Sequence, residues 1–233
     1  MENAIPDTEA AYQRLPSGRH RLTREDVVAS QRGRLLEAAV QVIAEQGYAS
    51  TTVADIVGRA AVSRRTFYEQ FPDKETCFLA AYDAGVELVL GKLRDAIEAA
   101  PEAGWHARAR ASVETFMDVL AGEPAFAAAL HIETLAAGPA ALKRRAEVFA
   151  LIATLWRGLH ERAQREDRGL AALPADAYLA LVGGLDELIR ECLRTRGASA
   201  LPGVTEPALG FVYAAFGARK APRTRASKAA AED

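Results

Sequence analysis

Arg64 and Arg65 stand side by side, followed by Thr66 and Tyr68, in the run SRRTFYEQFPDK. Paired guanidinium forks beside a hydroxyl and a phenol suit recognition of a nucleic acid. A guanidinium matches guanine O6 and N7 bidentately, and a threonine reaches a thymine methyl or a phosphate oxygen. Phe67 and Phe71 fall four apart, so a helix here turns both rings inward and leaves Arg64, Arg65, Thr66, Tyr68 and Glu69 outside. Pro72 ends that helix. A helix this short has little stability alone in water, so its neighbours must hold it.

Those neighbours are legible upstream. Val53, Ile56, Val57 and Ala60 have the spacing of an amphipathic helix. Thr52 precedes them as a cap, and Asp55 three residues later completes a capping box. Ala61 and Val62 turn the chain, and Ser63 caps the arginine-bearing helix. Further back, Leu35, Leu36, Ala39, Val42 and Ile43 form the inward face of a first main helix. Ser30 reads as its cap, after a short helical turn through Val27 and Val28 opened by Thr23 and Asp26. Gly47 stops it as a left-handed residue, and Tyr48 packs on its end. A short reading helix exposed N-terminus first is the geometry that enters a major groove, with Thr52, Ser63, Tyr68 and Lys74 placed for phosphates.

The run from Arg34 to Phe78, RLLEAAVQVIAEQGYASTTVADIVGRAAVSRRTFYEQFPDKETCF, resembles the N-terminal domain of the tetracycline-repressor (TetR) family of bacterial regulators. LLEAA, AEQGY, TTVADI, AVSRRTFYEQF and DKE carry the likeness, over about a fifth of the chain. The family usually has glycine where this chain has Ala61. If that position takes positive φ, alanine costs about 1 kcal/mol there. Ala54 likewise stands where relatives use a longer side chain, so the helix after Thr52 contributes little base contact.

Half of the 233 residues are hydrophobic and 26% are charged, the balance of a globular chain. Alanine-rich usage with few β-branched runs points to an all-α fold. No apolar stretch is long enough to span a membrane, and the first 20 residues lack the apolar core of a secretory signal. Cys77 and Cys192 read as small buried hydrophobes in a reducing, cytoplasmic setting. The formal charge of −2 divides unevenly: Arg14 to Glu75 carries 10 basic against 8 acidic residues, and Thr76 to Ala218 carries 14 against 18. The positive excess falls on the arginine-bearing segment and on the tail.

The expected organisation is a flexible arm over 1–22, a three-helix helix-turn-helix domain over 23–75, a helical bundle over 76–218 and a disordered basic tail over 219–233. Arg19 and Arg21 in the arm are candidates for minor-groove or phosphate contact. One long helix from Asp73 or Lys74 to Ala100 links the domains, and Pro101 and Gly104 break it. Helices follow over about 105–122, 124–137, 140–167, 175–196 and 206–216.

The bundle offers no nucleotide loop, no metal-ligand spacing and no nucleophile–base set, so neither a catalytic residue nor a cofactor is assigned. The resemblance implies a ligand cavity in this bundle. Trp105, Phe116, Phe126, His131, Phe149, Trp156 and Tyr178 are its candidate lining, although for any single one of them core packing is the simpler role. His131 and Glu133 interrupt an apolar segment and cannot share one face, which makes one of them a candidate polar lining group. Gly183 and Gly184, with Leu188, suggest close backbone approach, and the family typically dimerises through its last two long helices. The resulting expectation is a homodimeric, ligand-responsive regulator of palindromic duplex DNA, released as a repressor by a small molecule and independent of membranes. Two other classes stay open: a DNA-binding protein without an effector, and an all-helical enzyme using the same cavity.

Overall fold

A computed structural model describes residues 24–99 and 104–217. Arg19, Arg21, the expected arm and the expected tail lie outside the described residues. Nine α-helices follow one another there: α1 (Arg24–Gln46), α2 (Val53–Ala60), α3 (Arg64–Gln70), α4 (Lys74–Glu98), α5 (Trp105–Gly122), α6 (Pro124–His131), α7 (Pro139–Glu166), α8 (Ala175–Arg196) and α9 (Thr205–Ala215). Two 3₁₀ turns, Glu133–Leu135 and Ala198–Val204, complete the regular structure of the described residues, which contains no strand. No single described helix is long and apolar enough to cross a membrane.

The local signals act where expected. Gly47 has φ of +85° and its N–H returns to the Ile43 carbonyl at 2.8 Å, closing α1. Thr52 and Asp55 form the reciprocal capping box, and the Ser63 hydroxyl accepts the Thr66 N–H at 3.0 Å. Ser30 is a correction. It does not open a helix but lies buried within α1, because no glycine or proline between Arg24 and Ser30 interrupts the helix that begins earlier. The segment read as one helix over 124–137 divides into α6 and the 3₁₀ turn beyond it.

Packing separates the chain into two compact units, residues Met1–Lys92 with Gly122–Ala146 and residues Leu93–Ala121 with Glu147–Asp233. This division differs from the boundary read at 75/76. That position falls inside α4, and α6 packs against α1, which brings residues far along the chain into the first unit. The first unit's core joins α1, α2, α3 and the start of α4 through Leu35, Ile56, Phe67, Phe71 and Cys77. The second unit contains α5, α8, α9 and most of α7, with Met117, Leu181, Ile189 and Phe216 buried at its centre.

Candidate functional site

The position of α3 is fixed from beneath. Phe67 is fully buried and Phe71 nearly so, their ring centroids 5.8 Å apart, and Arg32 lies 4.5 Å over the Phe71 ring. Gln70 donates from Nε2 to the Val28 carbonyl at 3.2 Å, and the Arg34 guanidinium donates to the Ala60 carbonyl at 3.1 Å. The α2–α3 turn is a Schellman closure, with Ala61 N–H on the Gly58 carbonyl and Val62 N–H on the Val57 carbonyl. Ala61 takes the left-handed conformation there, φ 52° and ψ 47°, so the alanine does sit at a position suited to glycine.

Arg64 and Arg65 project from the opposite face, both exposed. Arg65 Nε meets Glu69 Oε1 at 2.9 Å, with the arginine side chain 89% accessible, so this surface pair holds it only weakly. Tyr68 is 57% exposed beside them. Two guanidinium groups, a phenol and the Ser63–Thr66 hydroxyl pair at 2.9 Å thus share one solvent face of a rigidly seated helix.

Other residues read as phosphate ligands carry internal duties. The Thr52 hydroxyl donates to Asp55 Oδ2 at 2.6 Å, and the same carboxylate accepts the Thr52 N–H at 2.8 Å and Gln46 Nε2 at 3.3 Å. Those bonds, the Thr52 hydroxyl foremost, hold the Asp55 carboxyl below its ordinary range. Lys74 reaches back from α4 and donates to the carbonyls of Tyr48 and Thr51 at 2.7 and 2.8 Å, its ammonium 4.1 Å from the Tyr48 ring centroid. Burial lowers its pKa. Two of its three N–H donors therefore tie the α1–α2 loop to α4, which leaves one for an outside partner. Arg59 pairs with Glu45 across α2 and α1, and that hydrogen bond lowers the Glu45 pKa.

Glu133 does not behave as a polar wall. Its carboxylate accepts the Tyr48 N–H at 2.8 Å, closing the loop after α1 from 85 residues away. His131 is buried within the same unit. Phe126 also lies there, and its ring occupies the space that a Cβ on Gly85 would need. The seven candidate lining residues are therefore distributed, with Phe126 and His131 in the first unit and Trp105, Phe116, Phe149, Trp156 and Tyr178 in the second.

In the second unit Trp105 packs edge-on to Tyr213 at 5.5 Å, and Trp156 packs edge-on to Phe216 at 6.2 Å. The sequence reading missed His160 at the centre of this cluster. It is fully buried, stacks on Phe216 at 4.3 Å and lies with Nδ1 2.9 Å from the Tyr178 hydroxyl. A usable signal existed, since His160 follows Trp156 by one helical turn on the same face. Gly184 is a correction to the expected dimer surface: a Cβ there would lie 2.5 Å from the Phe211 ring of the same chain, so its smallness serves α8–α9 packing. Gly183 faces open space and Leu188 is half-buried. Among the described residues no cluster of three His, Cys, Asp or Glu side chains could hold a metal ion.

Residues 35–81, which span the end-to-end packing of α1, α2, α3 and the start of α4, match the tetR family of bacterial regulatory proteins. FasR, an HTH-type transcriptional activator of Mycolicibacterium smegmatis, is 28% identical over 120 residues, 52% of this chain and 54% of its own length. The chain thus spans about half the length of that curated relative. The fatty acid degradation regulator FadR of Bacillus halodurans superposes with a TM-score of 0.72 at 21% identity, over 81% of this chain and 97% of its own. FadR of Bacillus subtilis, solved in complex with stearoyl-CoA, gives 0.66 at 19% identity over 77% of this chain and 96% of its own. At such identities the two structures establish the fold. Over residues 35–81 the chain is thus similar to the tetR family of bacterial regulatory proteins.

Proposed function

We propose that the chain is a ligand-responsive transcriptional regulator that binds duplex DNA through α3 and acts as a homodimeric repressor. The observation that carries the reading is the seating of α3. Phe67 and Phe71 anchor one face while Arg64 and Arg65 stand exposed on the other, Arg65 in a surface pair with Glu69. Arg64 and Arg65 read base edges, with guanine the favoured partner. Ser63, Thr66 and Tyr68 serve phosphates or a thymine methyl, and Thr52 and Lys74 support them by fixing the α2 cap and its loop. Two such heads read half-sites about 34–36 Å apart only if two chains associate. Exposed Leu151 and Leu155 on α7, with Leu179 and Gly183 on α8, supply an apolar surface for that pairing.

The effector is a small, mainly apolar molecule held in the second unit, and a bound ligand lowers DNA affinity by favouring a conformer that fits the operator poorly. The stearoyl-CoA carried by the Bacillus subtilis FadR makes long acyl compounds the first class to try. Repression is the sign adopted; a relative named as an activator makes a reporter assay in a deletion strain the direct check of it.

The test is a mobility-shift titration on DNA from the upstream region of the chain's own gene. Arg65→Ala is expected to weaken specific binding by about 1–3 kcal/mol with an unchanged melting temperature. Wild-type protein that ignores this DNA at moderate salt, or sediments only as a monomer, would overturn the reading.

A further inference from the structure

The second unit contains a polar atom whose hydrogen bonding its own fold leaves unfinished. His160 is fully buried on α7, yet its Nε2 has no hydrogen-bond partner among the described residues. Its other nitrogen is committed to the Tyr178 hydroxyl at 2.9 Å, one face of the ring is stacked on Phe216, and Trp156 flanks Phe216. Buried polar atoms are satisfied in the great majority of cases, so one held open by a rigid stack and a fixed bond invites an outside partner.

The direction of the bond between the two rings decides what that partner must be. A phenol hydroxyl is a stronger acid than a neutral imidazole N–H, and an imidazole nitrogen is a stronger base than a phenol oxygen. Tyr178 therefore donates to Nδ1, and the imidazole hydrogen resides on Nε2. Burial favours the uncharged form of both groups, raising the tyrosine pKa and lowering that of the histidine. The open atom is a neutral N–H donor in aromatic surroundings.

We propose that His160 Nε2–H is the polar anchor of the effector site, donating to a carbonyl oxygen of an otherwise apolar molecule, with Tyr178 as the positioning residue that fixes the tautomer. The assignment rests on the effector-binding reading of the second unit. It selects for one acceptor oxygen on a long hydrocarbon body and against cations and polyhydroxylated compounds, whose polar groups would be buried unpaired.

The full chain, labelled with 15N at histidine, is titrated with 2-decanone, a neutral ketone that can only accept. Binding is expected to move the His160 Nε2 proton downfield. His160→Phe, which keeps an aromatic ring in the stack, is expected to weaken binding at least tenfold; His160→Gln, which keeps an N–H, is expected to lose less. Tyr178→Phe is expected to leave a mixture of tautomers in the nitrogen spectrum. Tryptophan emission and melting curves establish that each variant is folded. Failure of 2-decanone to bind wild type overturns the anchor, as does binding that leaves the Nε2 proton unmoved or a folded His160→Phe that binds equally well. DNA binding is scored separately. Ketone binding at His160 in a chain that never binds DNA would keep the anchor and sink the regulator reading, and the reverse pattern would do the opposite.

Discussion

In the first unit Thr52, Asp55, Ser63, Lys74 and Glu133 all direct their polar atoms at backbone groups of the loops that surround α2 and α3. In the second unit the central polar side chain, His160, leaves one nitrogen open inside an aromatic stack. On the proposed reading, the first arrangement fixes the loops around a surface that must match a stiff duplex, while Arg64, Arg65 and Tyr68 face outward from α3. On the same reading, the second keeps binding capacity in its interior. So read, rigidity belongs to the α2–α3 surface and receptivity to the aromatic centre of the second unit.

The comparison breaks most readily at Phe67. Removing this fully buried ring in Phe67→Ala is expected to cost about 3–5 kcal/mol and to abolish DNA binding, because α3 loses its seat. Chemical denaturation followed by hydrogen exchange of the α2–α3 amides checks it. Retained slow exchange there would mean that the caps alone hold the reading helix. Next in size is Lys74→Met, which keeps the apolar stem but strips the donor from the Tyr48 and Thr51 carbonyls. A loss of about 1–3 kcal/mol is expected. A much smaller loss accompanied by weaker DNA binding would return Lys74 to the role of a phosphate ligand.

The two units were also unequally legible. The capping residues Thr52 and Ser63, the stop at Gly47 and the inward pair Phe67 and Phe71 are short-range signals, and α8 was placed over its full span for the same reason. Glu133 closing the Tyr48 loop is an encounter between residues 85 apart in the chain, which no local pattern encodes. The division of α4 and α7 between units is hidden likewise, since helical periodicity does not say which neighbour each stretch meets. Gly184 misled because a glycine pair signals close approach without naming the approaching group, here Phe211. His160 went unread because its spacing one turn after Trp156 marks a shared helix face but does not separate a structural role from a binding one.

Ala61→Gly sharpens the comparison from the other side. The residue holds φ of +52° in the α2–α3 turn, and glycine relieves that conformation at the cost of a freer unfolded chain. The first unit is expected to gain about 1 kcal/mol with DNA affinity unchanged. A loss of affinity would show that the alanine methyl itself meets the duplex.

The smallest expected effect is the way each unit answers acid. Burial lowers the pKa of His160, so the folded second unit resists protonation while its unfolded chain accepts a proton near the ordinary histidine value of 6.5. Stability is then full above that value and declines as pH falls through it. In the first unit the lowered acids are Asp55, held foremost by the Thr52 hydroxyl, Glu45 by Arg59, and Asp73 by the Thr76 N–H. Their contribution persists above the ordinary carboxylate range and is lost only as pH falls below it, toward their depressed values. The chain's two tryptophans, Trp105 and Trp156, both belong to the second unit, so their emission reports that unit alone. Denaturation midpoints read from tryptophan should begin to fall below about pH 6.5, whereas exchange protection of the α2 amides should hold until the carboxylate range. His160→Phe should remove the His160 part of the early decline and leave the part from His106, whose pKa burial also lowers. An identical acid response from both probes would mean that the units unfold as one body and that the closed and open polar arrangements have no separate energetic consequence.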